Sequence, residues 1–216
     1  MSSATIIIPT LNEEENIGRL IDQLLSLYPQ IKIMVTDDGS KDNTIRTAEQ
    51  HGAAVIDRSS ATIKGITASV LEAATKVATE NIIVMDADFQ HPPERVKEII
   101  EALSSNEIVI ATRASVIGPW GPVRRLESII ATALARLRVG KVRDPLSGFF
   151  GIKTELFKKI KKDNFELRCF KILVNILKNA KGAKIGYVPY EFDIRKRGQS
   201  KIQKKHIWYF LRNIFS

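Results

Sequence analysis

The chain has 216 residues, 44% hydrophobic and 26% charged, which suffices for one well-buried domain. Its single cysteine, Cys169, excludes an intramolecular disulfide and a multi-thiolate metal centre. The start MSSATIIIPT lacks a basic region leading into an apolar core, and no apolar run approaches about 18 residues, so neither a signal peptide nor a spanning helix is expected. The net charge of +9 hides a split. Residues 1–110 carry 9 Lys+Arg against 17 Asp+Glu, and residues 111–216 carry 24 against 7. An acidic half suits a metal site, whereas a basic half suits phosphates, nucleic acid or an anionic membrane.

In chain order, Ala4–Pro9 is a β-branched run closed by proline and predicts a buried strand. Asn12, three residues before Glu15, resembles a capping box, and Ile17, Leu20, Ile21, Leu24 and Leu25 follow at helical spacing. Ile31–Thr36 predicts a second strand, ending in the acidic turn Asp37–Thr44 (DDGSKDNT) ahead of a helix over Ile45–Gln50. A short strand over Ala53–Ile56 and a helix over Ile63–Ala78 come next. The fourth strand, Ile82–Met85, runs into Asp86-Ala87-Asp88, then Phe89, Gln90, His91 and a Pro-Pro-Glu that opens a helix. Glu107–Thr112 is a fifth strand. This alternation predicts a mainly parallel α/β sheet with helices on both faces and no internal repeat. In the second half GPWGP reads as a loop, and Leu126–Leu137 as an amphipathic helix. DPLSGFFG (Asp144–Gly151) is a turn entering a strand. Phe165–Lys178 reads as helix, Lys184–Val188 and Tyr190–Ile194 as strands, and the tail HIWYFLRNIFS as an aromatic, basic amphipathic segment.

A buried strand delivering Asp-x-Asp at its C-terminal end places two hard oxygen ligands at the rim of the sheet, where such folds bind ligands. The two acids repel unless a cation lies between them, and a divalent ion gripping phosphate oxygens does so; Gln90 offers a neutral oxygen. Taken alone, the pair also fits a solvated turn. His91 invites a role as base, but a lone histidine before Pro-Pro is better read as orienting the loop.

In order and spacing, IIIPTLNEEENI, DDGSKDNT, DADFQHPPE, DPLSGFFGIK and FDIRKRGQSK resemble the family 2 glycosyltransferases with a GT-A fold, in particular the dolichol-phosphate mannose synthase subgroup. The resemblance runs from Ile6 to about Lys201 and implies one GT-A catalytic domain, Rossmann-like, over 1–201. In it, 1–112 forms the nucleotide-sugar and metal half and 113–201 the acceptor half, with 202–216 as a basic tail. It implies that Pro9, Leu11, Glu13, Val35, Asp37, Asp38 and Asp86 hold the nucleotide sugar, and that Asp86, Asp88 and Gln90 hold Mg²⁺ or Mn²⁺. It further implies that Arg113, Arg124 and Ser128 grip an acceptor phosphate. Asp144, Ser147 and Gly148 would line the site, and Asp88, Arg195 and Lys201 would carry catalysis, within a loop that also holds Gly198 and Ser200. The family's glycine-rich stretch after the third strand is reduced here: only Gly65 remains, with Thr67, Ser69 and Ala73 after it.

The reaction so implied moves a hexosyl group, mannose from GDP-mannose first, onto a polyprenyl or dolichyl phosphate with inversion. Another nucleotide sugar such as UDP-glucose, or a hydroxyl acceptor, is the alternative. A phosphate monoester with a second pKa of about 6 needs no strong base to act as nucleophile. The enzyme would sit peripherally on the cytoplasmic face of a membrane, its tail in the interface or docked as an ordinary helix, with a small membrane subunit as a further partner. A nucleic-acid-binding module leaves the Asp-x-Asp strand end unexplained and lacks a recognised motif. An idle lipid-bound partner leaves intact metal ligands unexplained.

Overall fold

The structure, a computed structural model, describes residues 2–116, 122–192 and 204–215, and their side chains except at 115, 116, 122–127, 192, 204–207 and 215. Strands β1 (Ala4–Thr10), β2 (Lys32–Asp37), β3 (Ala54–Asp57) and β4 (Asn81–Val84) alternate with helices α1 (Glu14–Leu27), α2 (Thr44–Gln50) and α3 (Ile66–Thr75). A 3₁₀ turn at Pro93–Arg95 leads into α4 (Val96–Leu103), followed by β5 (Ile108–Val116) and α5 (Pro122–Val139). The remainder is β6 (Phe150–Lys153), α6 (Thr154–Lys159), α7 (Ile172–Asn179), β7 (Ile185–Phe192) and α8 (Lys204–Phe215). The strands form one sheet in the order β3-β2-β1-β4-β6-β5-β7, parallel except for β6, which runs antiparallel to β4 and β5.

Period-two alternation divides the apolar residues between two faces. Ile6, Ile8, Ile83, Met85 and Val109 enter one core with Ile17, Leu20 and Leu24 of α1 and Ile99 and Leu103 of α4. Ile7, Ile82, Val84 and Ile108 enter the other with Val70 and Ala73 of α3 and Leu173 and Ile176 of α7. Each fully buried side chain of this size stabilises by about 1.5–3 kcal/mol, so slipping any of these strands by one residue would be prohibitive. A third, smaller cluster joins Ala135 of α5, Val174 of α7, Cys169, and Phe210 and Ile214 of α8. The tail therefore docks by one face; Lys178 Nζ also donates to the Asn213 carbonyl at 2.6 Å.

Four sequence expectations are corrected. Asn12 does not cap α1: it has φ 51°, its amide donates to Ser40 Oγ and its side-chain oxygen accepts from Lys41 N. The α1 end is instead served by Asp42, which accepts from Glu14 N and Thr44 N. Helix α3 starts at Ile66 and ends at Thr75, shorter than the 63–78 span, because the preceding loop turns to bond Arg58. Residues 165–171 are not helical; α7 starts only at Ile172. Finally, 185–192 is one strand through Pro189, tolerated because β7 lies at the sheet edge.

Candidate active site

After β3 the chain returns to the other side of β1, so β1 and β4 flank the point where strand order reverses, and their C-terminal ends leave a crevice. A cleft of about 260 Å³ occupies it. Pro9, Thr10, Leu11 and Glu13 line it from the β1 side, Asp38 from the β2 end, and Asp86, Ala87 and Asp88 from the β4 end. Gly65, Ile66 and Ser69 contribute from the start of α3, Ser147 and Gly148 from the turn before β6, and Arg168, Phe170 and Lys171 from the segment before α7.

The Asp-x-Asp pair is asymmetric. Asp86 presents a side chain 43% exposed, whereas Asp88 is 2% exposed and accepts the Gln90 amide at 3.1 Å. Phe89, next after Asp88, has φ 61°, a left-handed conformation that costs a bulky residue about 1–3 kcal/mol and is retained where surrounding contacts fix it. Arg19 lies 5.5 Å over its ring. His91 anchors the loop from below: Nδ1 accepts the Asp86 amide at 3.0 Å, and the ring stacks on Phe149 at 5.2 Å, edge-on to Tyr190 at 6.0 Å. Burial drives its pKa down to about 4, against the pull of Asp88, so the imidazole is neutral. This is the orienting role expected for it.

The turn before β6 ties this loop to β5. Arg113, beside a β-bulge, donates Nε and Nη2 to the two Asp144 oxygens at 2.8 and 3.0 Å. Burial works against the guanidinium's charge, but the bonds and charge of Asp144 raise its pKa overall. Ser147 Oγ donates to the Ala111 carbonyl at 2.8 Å, and a Cβ on Gly148 would lie 3.0 Å from Asp86 Oδ2.

Of the adjacent aspartates, Asp38 reaches the cleft and Asp37 does not. Asp37 is fully buried, accepting from Gly39 N, Ser40 N, Ser40 Oγ and Thr10 Oγ1. Asp38 is gripped by the buried Arg58, which also bonds Ser69 Oγ and Glu72, and accepts the Gly65 amide at 2.6 Å. Val35 is in the core. Gln90 is half-buried and does not line the cleft. Ser128 is half-buried on α5; the Arg124 side chain, the GPWGP loop up to Gly121, and Arg195, Gly198, Ser200 and Lys201 lie outside the described residues. Arg168, Phe170 and Lys171 were not expected in the site, since the sequence there reads as continuous helix. Withdrawal from water lowers the Lys171 pKa, partly offset by Asp86 and Asp144.

Among the described residues no group of three His, Cys, Asp or Glu side chains converges, and His91 Nδ1 is already an acceptor. What remains is an accessible carboxylate, Asp86, beside a second, Asp88. That fits a hard cation taking its other oxygens from a bound diphosphate and water.

The mainly parallel sheet, with carboxylates at its switch-point cleft, has the GT-A fold. The mycobacterial glucosyl-3-phosphoglycerate synthase from Mycobacterium tuberculosis, solved with Mn²⁺, UDP and phosphoglyceric acid, matches with a TM-score of 0.74 at 22% identity, over 99% of this chain and 78% of that one. Residues 5–161 match the glycosyl transferase family 2 model, and the chain belongs to that family. It is 34% identical to a dolichol-phosphate mannosyltransferase of Pyrococcus furiosus over 98% of this chain, and spans 62% of that relative's length. It is 29% identical to the enzyme of the same name from Mycosarcoma maydis, over 98% of this chain and 78% of that one.

Proposed function

We propose that the chain transfers a hexosyl group, mannose from GDP-mannose first among donors, to a polyprenyl or dolichyl phosphate with inversion, working peripherally at the cytoplasmic face of a membrane. The observation that carries the proposal is the switch-point cleft, where acids of the first half face cations of the second. The relatives named dolichol-phosphate mannosyltransferase support the choice of sugar and acceptor.

Glu13 and Asp38 lie where base or ribose N–H and O–H groups can be accepted. Asp86 and Asp88, with Gln90 swinging in, would hold Mg²⁺ or Mn²⁺; bound there, the ion neutralises charge on the departing diphosphate. Arg113, Arg124 and Ser128 take the acceptor phosphate, with Asp144 presenting the Arg113 fork. Arg195 and Lys201, which lie outside the described residues, are assigned to the diphosphate by the family resemblance. The nucleophile is already anionic near neutral pH, so proximity and charge stabilisation supply the rate, and His91 holds the loop rather than moving a proton. Turnover of a panel of nucleotide sugars with dolichyl and undecaprenyl phosphate, with and without Mn²⁺, tests this. Transfer to a sugar hydroxyl but to neither lipid phosphate overturns the acceptor.

No helix among the described residues is long and apolar enough to cross a membrane. Helices α5 and α8 instead expose Ile129, Ile130, Leu137, Trp208 and Leu211, interspersed with Arg136, Arg138 and Arg212, a composition suited to an anionic lipid interface. Because Phe210 and Ile214 are core residues, the probe is Trp208→Ser with Leu211→Ser rather than truncation. Vesicle sedimentation should show weaker binding to anionic vesicles than wild type; equal binding at low and high salt removes α8 from the interface.

A further inference from the structure

The start of α3 is closed to anions in this chain. Thr67 N and Thr67 Oγ1 both donate to the Cys169 carbonyl, at 3.2 and 2.7 Å, and Ala68 N donates to the Leu167 carbonyl at 3.2 Å. These amides would otherwise point at a ligand, as helix N-termini do in phosphate sites. Gly65 permits this approach: its φ is 139°, and a Cβ there would sit 3.2 Å from the Leu167 carbonyl oxygen. The segment that takes the amides away brings a cation in their place. Two residues beyond Cys169, Lys171 lines the cleft opposite Asp86. Its Nζ makes no hydrogen bond and no ion pair within 4.0 Å among the described residues; its one recorded contact is the Phe170 ring at 5.4 Å. The titratable groups acting on it include Asp86, Arg113, Asp144 and Cys169. A partly buried ammonium with three donors and no acceptor is a site awaiting an anion. Lys171 also lies beyond residues 5–161, the span matched by the family model.

We propose that Lys171 is a further binding residue of the cleft, its ammonium contacting a phosphate oxygen of the substrate bound between Asp86 and the Arg113–Asp144 pair. This rests on the reading of the cleft as a phosphate-substrate site. The oxygen belongs either to the donor diphosphate or to the acceptor monophosphate, and two probes separate them. Wild type, Lys171→Met and Lys171→Arg are titrated calorimetrically with inorganic pyrophosphate and with farnesyl monophosphate at fixed Mn²⁺, alongside thermal unfolding. Lys171→Met should weaken one probe by about tenfold or more, and Lys171→Arg, which keeps the charge, by clearly less. The unfolding midpoint of Lys171→Met should not fall, because an ammonium lacking acceptors is removed. Loss on pyrophosphate assigns the contact to the donor, loss on the monophosphate to the acceptor. Affinities within about twofold of wild type for both probes overturn the proposal, as does a wild type that binds neither. The transferase reading fails separately, if wild type turns over no nucleotide sugar while its anion affinity still depends on Lys171.

Discussion

Gly148→Ala isolates the contact between the turn before β6 and the Asp-x-Asp loop. Gly148 does not have a left-handed φ, so alanine meets no backbone penalty and only the added methyl matters. That methyl would stand 3.0 Å from Asp86 Oδ2 and 3.1 Å from His91 Cε1, so one neighbour must give by a few tenths of an ångström. His91 cannot: it is buried, stacked on Phe149 and bonded to the Asp86 amide. The Asp86 carboxylate, 43% exposed, is the group that turns aside. Overpacking of this kind costs about 1–3 kcal/mol, and replacing glycine returns about 0.4–1 kcal/mol through the unfolded chain, leaving a net loss of about 2.6 kcal/mol at most. In a domain of this size that lowers the Tm by no more than about 10 °C. The ligand set suffers more. A displaced carboxylate should weaken Mn²⁺ binding by about tenfold or more, and misplacement of the diphosphate should lower kcat by up to about 100-fold. Mn²⁺ affinity read by electron paramagnetic resonance with GDP present, beside a thermal melt, checks both. A large drop in Tm with unchanged Mn²⁺ affinity would show that Gly148 serves packing alone and refute the reasoning.

Asp88→Asn, which removes a charge from the proposed metal shell, should abolish nearly all transfer while the melt stays close to wild type; turnover within about threefold of wild type excludes Asp88 from that shell. His91→Phe preserves the stack on Phe149 but strands the Asp86 amide, so a loss of about 1–3 kcal/mol in urea unfolding is expected, with His91→Ala costing more. Asp42→Ala should cost about 1 kcal/mol, because Asp42 caps α1 across the loop. Burial would raise the Asp42 pKa, but the Thr44 and Glu14 bonds lower it overall. Its stabilisation is thus present above the unfolded carboxylate pKa and lost as pH falls through the lower folded value. Wild-type and Asp42→Ala stability curves should converge in acid; a gap that persists there removes the charge from the explanation.

The strands were legible because β-branched runs with period-two burial leave little choice, and Asp86-Ala87-Asp88 was legible because a buried strand must end where it does. What escaped depended on distant backbone. Residues 165–178 contain neither Gly nor Pro, and their apolar spacing continues a helix, so nothing local marks the break. The break exists because the Leu167 and Cys169 carbonyls are spent on α3, a bond across about 100 residues of chain that no window detects. Asn12 fails as a cap for a related reason: the 37–44 turn supplies Asp42, and Asn12 bonds that turn instead. Nor could adjacency tell Asp37 from Asp38. Four donors converge on the first and hold it inward, and only the folded turn brings them there.

The charge split along the chain resolves into two walls of one cleft. Glu13, Asp38, Asp86 and Asp88 come from the acidic half, Arg168 and Lys171 from the basic half. The six residues from Asp144 to Phe149 couple them, since Asp144 fixes the Arg113 fork, Ser147 ties to β5, Gly148 leaves no room for a side chain beside Asp86 and Phe149 carries His91. A shift of that turn therefore moves the cation proposed for the acceptor and the carboxylate proposed for the donor together. In the proposed reaction two mutually repelling anions meet within reacting distance, and a single short turn that positions both partner groups would leave little freedom to lose. Substitutions at Asp144 and Gly148 should accordingly be non-additive in kcat/KM.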